Sequence, residues 1–202
     1  MLLKLYSENP NPRFIKRIVE CLNDGGIIIY PTDTIYGLGC DIFNSKAIEK
    51  IAQLKGLKAE KANFSFICYS ISQISEFIKP IDNTIFKFMK KNLPGPFTFI
   101  FNANNKTPKL LKSKRKTVGI RIPDNLISTD IVKELGHPIL STSIHDEDEI
   151  IEYPTDPELI YDKYKDIVDI VIDGGFGSNI PSTIIDCTNN EINVIRQGKG
   201  II

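Results

Sequence analysis

No stretch of this sequence approaches the ~20 consecutive apolar residues that a membrane-crossing helix needs. The N-terminus also lacks a signal-peptide pattern, so a soluble, cytoplasmic protein without membrane contact is expected. Charge of one sign is missing too: 25 Lys and Arg balance 25 Asp and Glu over 202 residues. A protein that holds RNA through bulk charge shows a basic excess, so any nucleic-acid contact here must come from a local patch. Cysteine is scarce. Cys21, Cys40, Cys68 and Cys187 are widely spaced, with no CxxC pair, which argues against a structural zinc site. Each lies in or beside an apolar run, as a free buried thiol would. There is no internal repeat and no linker long enough to divide the chain. Residues 1–202 are therefore expected to form one domain with its core over about 9–202. Such a length buries roughly 70% of the unfolded surface without help from metal or disulfides.

What is present alternates strand and helix signals. Asn11 can cap a helix over Pro12–Asn23, with Pro12 at its first position and Ile15, Ile18, Val19 and Leu22 on one stripe. Gly25-Gly26 ends it, and Ile27–Tyr30 reads as a buried strand. Residues 31–39 read as a loop rich in hydroxyls and glycine. A second helix is expected over 45–54, delivering the chain to Lys55-Gly56-Leu57-Lys58. Further strands are expected at 64–69, 97–101, 117–122, 138–142 and 168–172. Helices are expected near 71–78, 83–91, 129–135 and 156–164. The tail reads as a hairpin, 182–187 and 192–196, around Asn189-Asn190. This mixture predicts one α/β sheet with both parallel and antiparallel pairs.

In open α/β sheets chemistry gathers where strands end and loops meet. Several strands here run into small hydroxylated or basic residues: Thr32, Asp33, Thr34 and Tyr36; Arg121; Ser141-Thr142-Ser143; Ser182-Thr183; and Arg196-Gln197-Gly198. Hydroxyls, backbone amides and a few cations are what a bound phosphate or carboxylate requires. Taken singly, each could cap a turn or sit in solvent. Five such ends in one domain point to a ligand.

The order of these segments resembles the YrdC/Sua5 family. Pro31-Thr32-Asp33-Thr34-Ile35-Tyr36-Gly37-Leu38-Gly39-Cys40-Asp41 is similar to its opening signature, Leu93-Pro94-Gly95-Pro96-Phe97-Thr98 to its second, and Thr117–Pro123 to its third. Ser141-Thr142-Ser143, Pro181–Asp186 and Arg196-Gln197-Gly198 complete a collinear series. The resemblance implies a twisted mixed parallel/antiparallel sheet with flanking helices, the YrdC/RibB-like (DHBP synthase-like) α/β (α+β) fold. It also implies threonylcarbamoyl-AMP synthesis from ATP, bicarbonate and L-threonine, for modification of tRNA at adenosine 37 by a downstream transferase. Mg²⁺ would accompany the ATP, held mostly by phosphate oxygens and water. Carried over by motif, Thr32, Thr34, Tyr36, Arg121, Ser141 and Ser182 would surround threonine. Lys55, Lys58, Thr117, Ser143 and Arg196 would meet ATP, with Lys55 and Arg121 as the catalytic cations.

Two motifs depart from the family pattern. The usual Lys-x-Arg is Lys55-Gly56-Leu57, with Lys58 one residue on, and the usual Ser-x-Asn is Ser143-Ile144-His145. Both departures resemble the YciO branch. They raise the alternative of a nucleotide- or RNA-binding protein, on tRNA or double-stranded RNA, without the synthase reaction. Lys109, Lys112, Lys114, Arg115 and Lys116 form a basic cluster that could steer ATP or touch tRNA phosphate, although a plain solvated face is the favoured reading. The acidic run after His145 reads as a solvated loop.

Overall fold

The structure is a computed structural model that describes residues 1–59, 62, 64–111, 116–144 and 153–202. The His145–Glu149 run, Lys112, Lys114 and Arg115 lie outside the described residues.

Among the described residues ten strands form a single sheet in the order β1-β8-β2-β3-β7-β4-β6-β5-β9-β10. In chain order these are β1 (Leu2–Lys4), β2 (Ile28–Tyr30), β3 (Gly37–Asp41), β4 (Ser65–Ile67) and β5 (Phe97–Asn102). Then follow β6 (Thr117–Arg121), β7 (Ile139–Ser143), β8 (Ile170–Asp173), β9 (Thr183–Asp186) and β10 (Asn193–Arg196). Pairs β1·β8, β2·β8, β4·β6 and β5·β9 are parallel and the others antiparallel. The helices are α1 (Pro12–Asn23), α2 (Ser45–Leu54), α3 (Ile71–Ser75), α4 (Asn83–Asn92), α5 (Leu126–Leu135) and α6 (Pro157–Tyr164). None is long and apolar enough to cross a membrane.

Local chemistry sets the helix starts. The side chains of Asn11, Asn44, Ser70, Asp82, Asn125 and Asp156 each accept a backbone N–H from the first turn of α1 to α6 in that order. This satisfies donors that have no partner inside the helix. Asn125 moves the start of α5 back to Leu126, three residues before the expected one, and α3 stops at Ser75 rather than Ile78.

The two faces of the sheet are covered unequally, and this positions the site. One face packs Leu38, Phe66, Phe99, Val118, Leu140 and Ile185 against α2, α3, α4 and α6 in a single large core. The other face packs Ile28, Tyr30, Ile67, Ile139, Ile170 and Ile172 under α1 and α5 alone. Beyond Ile67, the β4-β6-β5-β9 side of that second face contributes no residue to this cluster among the described residues. Its alternate side chains there are Ser65, Gly119, Arg121 and Thr98 rather than leucines.

Two strands were not legible beforehand. Residues 37–39 fall in the expected loop, yet with Cys40 and Asp41 they form β3 between β2 and β7. Strand β1 is three residues long and exists through parallel pairing with β8.

Candidate functional site

A cavity of about 150 Å³ opens on this under-covered face. Strand ends alone do not build it; alternate residues across the sheet do. Ser141 and Ser143 of β7, Ser65 and Ile67 of β4, and Arg121 of β6 form the floor. Thr98 of β5, Ile184 of β9 and Arg196 of β10 continue it, and Gly37 marks the β3 side. Thr32, Ile35 and Tyr36 from the β2–β3 loop, with Ser182 before β9, make the walls. Register explains the convergence: Ser65 lies opposite both Ser141 and Gly119, and Ile67 opposite Arg121. A Cβ on Gly119 would stand 2.8 Å from the Ser65 hydroxyl, so glycine there leaves room for that group.

The wall loop is held by its own polar groups. Thr32 Oγ1 donates to the Ile35 carbonyl at 2.7 Å and accepts the Thr34 N–H at 3.0 Å. Tyr36 Oη donates to the Gly175 carbonyl at 2.7 Å and accepts the Gly174 N–H at 3.2 Å. The Ser178 N–H donates to the Thr34 carbonyl at 3.0 Å. Burial pushes the Tyr36 phenol well above its ordinary value, which keeps it a donor.

Arg121 is 6% exposed as a whole residue. Its Nη2 donates to Asp33 Oδ1 and lies 3.5 Å from Thr32 Oγ1. Asp33 Oδ2 and Arg121 Nε are buried without a hydrogen-bond partner. Nearby, Lys199 Nζ donates to the Asp33 carbonyl at 2.6 Å. The tail carrying Lys199 is stitched to the start of β9. Gly198 N–H donates to Thr183 Oγ1 at 2.9 Å, and Thr183 Oγ1 donates to the Gly200 carbonyl at 2.6 Å. Arg196 Nη2 donates to the Ser182 carbonyl at 2.8 Å, and the Ser182 and Thr98 hydroxyls meet at 2.8 Å.

Lys55 approaches from the end of α2. The Leu57 N–H bonds the Ala52 carbonyl and the Gly56 N–H bonds the Gln53 carbonyl, both at 2.9 Å, which is a Schellman cap. Gly56 supplies the left-handed residue this cap needs, at φ 64°. Lys55 is thereby fixed at the helix end, with Nζ donating to the Ser143 carbonyl at 3.1 Å. Partial burial holds its pKa below the ordinary lysine value.

Of the residues singled out from sequence, Thr32, Tyr36, Arg121, Ser141, Ser143, Ser182 and Arg196 line one cavity. Lys55 reaches it through Ser143. Three others stand apart. Thr34 is fully buried, its hydroxyl 3.2 Å from that of Thr32. Thr117 shares the face of Arg121 but begins β6, roughly 13 Å further along the strand. Lys58 is exposed, beside Leu57 at 47% exposure. Sequence reasoning gave no role to Tyr30, Ser65, Thr98 or Lys199, and left Asp33 without one. Thr98 and Asp33 lay inside the quoted signatures, which was the signal available for them. The four thiols are free, and burial lifts Cys21 to about 11 and Cys187 to about 12, which disfavours the reactive thiolate.

This chain is similar to known proteins in both sequence and fold. The family model for Sua5, YciO and YrdC, described as "Telomere recombination", matches residues 20–198. YciO of Escherichia coli strain K12, named as an uncharacterized protein, is 39% identical over 198 residues, 97% of this chain and 94% of its own length. A threonylcarbamoyl-AMP synthase of Coxiella burnetii is 29% identical over 179 residues, 88% and 95% of the two chains. In structure, E. coli YciO matches with TM-score 0.91 and 37% identity, covering 100% of this chain and 97% of that one. P. abyssi Sua5 complexed with L-threonine matches with TM-score 0.86 and 23% identity, covering 98% of this chain and 57% of that one.

Proposed function

This chain belongs to the Sua5/YciO/YrdC family, and from that membership we propose that its cavity binds an amino acid beside ATP for adenylation of the carbamoylated amine. The reading is threonylcarbamoyl-AMP synthesis from L-threonine, bicarbonate and ATP. One observation carries it: Thr32, Arg121, Ser141, Ser182 and Arg196 come from five distant segments and line one small polar cavity. At about 150 Å³, it is below the roughly 300–1,000 Å³ of a drug-sized site and suits a ligand of amino-acid size. A triphosphate would lie along the open rim, toward Lys55, Arg196 and Lys199. Mg²⁺ would arrive with it.

The chemistry asks for alignment rather than covalent work. Bicarbonate condenses with the threonine amine, losing water, to give a carbamate. A carbamate oxygen attacks the α-phosphorus, and pyrophosphate leaves with the bonding pair. The protein's share is to hold the carbamate in line and neutralise the phosphates. Hydroxyls at Ser141, Ser143 and Ser182 offer donors to carboxylate and carbamate oxygens. Lys55 can follow the phosphate charge. The adenylate would pass to a transferase acting on tRNA.

A second reading has its own support. Leu57 is exposed where the family's Lys-x-Arg carries arginine, which favours a YciO-like nucleotide- or RNA-binding protein without the synthase step. Incubation with ATP, bicarbonate and each amino acid in turn, followed by pyrophosphate measurement, separates the two. The synthase reading expects release that requires all three substrates. ATP binding with no pyrophosphate from any amino acid would leave the second reading.

A further inference from the structure

In sequence Tyr30 is only the end of a buried strand, and the proposed chemistry does not use it. Its ring is fully buried, yet its hydroxyl reaches the cavity's floor. Tyr30 Oη donates to Ser141 Oγ at 2.5 Å. The two residues stand two strands apart, Tyr30 on β2 and Ser141 on β7, with β3 between them. At about 4.8 Å per strand that is close to 10 Å between backbones, a gap that a phenol can bridge and a short alcohol cannot.

The intervening strand is built to let the ring cross. Gly37 pairs with Tyr30, and Gly39 pairs with Ser141. A Cβ on Gly37 would stand 2.8 Å from Tyr30 Cζ, and one on Gly39 would stand 2.9 Å from Tyr30 Cε1. Close approach of one aromatic ring therefore explains Gly37, and at Gly39 it adds to the nearer Leu140 carbonyl oxygen at 2.6 Å. The same two glycines give β3 the loop-like composition that hid it in the sequence.

The hydrogen bond has a direction. A phenol is the more acidic donor, and among the described residues the Tyr30 hydroxyl has Ser141 as its partner. Burial drives the phenol pKa well above its ordinary value, so the proton stays in place. Ser141 Oγ spends a lone pair on accepting it. The Ser141 hydroxyl keeps its own proton, with no acceptor among the described residues, and Ser141 lines the cavity. A serine hydroxyl has one donor and two acceptor positions, so fixing one acceptor position narrows where the donor can turn.

We propose that Tyr30 is a positioning residue, which by donating across β3 to Ser141 Oγ turns Ser141 into a fixed hydrogen-bond donor to a ligand oxygen in the cavity. The inference rests on the reading of the cavity as an amino-acid site and adds a specific element to it. The ligand class is one with an anionic or carbonyl oxygen facing β7, such as the carboxylate of an amino acid. A hydroxyl already held by its neighbour loses less rotational freedom on binding.

The test is a double-mutant cycle read by calorimetric titration of L-threonine and, separately, of ATP. Tyr30→Phe keeps the ring that fills the space above Gly37 and Gly39 and removes the donor. Ser141→Ala removes its partner. Each single change should weaken threonine binding roughly 2- to 13-fold, the worth of one neutral hydrogen bond. The double variant should lose little more than the worse single one. ATP affinity should move less than twofold in Tyr30→Phe. If the parent binds threonine but the two losses multiply, or ATP suffers equally, Tyr30 is a packing residue and the inference is overturned while the amino-acid reading stands. If the parent binds no threonine at all, that reading falls and this inference with it. Should Tyr30→Phe not fold, carbon-13 NMR of the tyrosine ζ carbons gives the answer on the parent. Threonine should shift one buried tyrosine signal in the parent and not in Ser141→Ala, and an unmoved signal overturns the inference.

Discussion

Arg121 gives one arm of its guanidinium to Asp33, and the two side chains are only 8% and 12% exposed. The cation expected to grip a substrate carboxylate is thus already paired. Arg121 Nε and Asp33 Oδ2 remain buried without partners. Breaking such a pair leaves an uncompensated buried charge, which costs about 3–5 kcal/mol. We expect Arg121→Ala to lower stability by that amount, measured by urea unfolding. Asp33→Asn combined with Arg121→Ala should recover most of it. That double variant also isolates ligand effects. On it, threonine affinity should fall about 10- to 150-fold and ATP affinity should change less. A larger ATP loss would move Arg121 to the nucleotide side.

Lys55 carries a pH prediction. Partial burial favours its neutral form and lowers its pKa from the ordinary 10.5. Its positive charge is therefore lost, as pH rises, sooner than that of a free lysine. ATP affinity should fall as pH climbs toward 10.5. Lys55→Arg should remove this dependence, because arginine stays charged to above about 12. Titrations of ATP at stepped alkaline pH would show it. A parent and variant with the same pH slope would mean that Lys55 does not meet the phosphates.

The Schellman cap at the end of α2 separates Lys55 from Leu57. If Leu57 stands where a phosphate-gripping arginine would act, Leu57→Arg should raise pyrophosphate release, about tenfold for each ~1.4 kcal/mol regained. If Lys58 fills that role instead, Lys58→Ala should abolish release and Leu57→Arg should be neutral or harmful. One pyrophosphate assay on the parent and both variants distinguishes these outcomes.

Gly37 and Gly39 should respond differently to alanine. The three nearest atoms to a Gly37 Cβ all belong to the Tyr30 ring, whereas a Gly39 Cβ would also stand 2.6 Å from the Leu140 carbonyl oxygen. Overpacking of this kind costs about 1–3 kcal/mol. Tyr30→Leu should relieve Gly37→Ala and should leave Gly39→Ala destabilised, as thermal melts of the four variants would report. Equal rescue of both would show that the ring, not the backbone of β7, limits the space at Gly39.

The helices and the broad architecture are legible in the amino-acid order, because their signals are local. An asparagine before Pro12, an apolar stripe at Ile15, Ile18, Val19 and Leu22, and a glycine after Lys55 act within a turn of themselves. The order of motifs alone groups Thr32, Arg121, Ser141, Ser182 and Arg196. Strand β3 was not legible, because a run with two glycines has little strand propensity of its own. It is a strand since β2 and β7 flank it and a tyrosine must cross it. Strand β1 is likewise made by β8. The pairing of Arg121 with Asp33, the reach of Tyr30 to Ser141 and the tether of Lys199 to the Asp33 carbonyl span 88, 111 and 166 residues. Motif spacing carries no information about which groups meet over such separations; only the register of a mixed sheet, with one face left partly open, decides it.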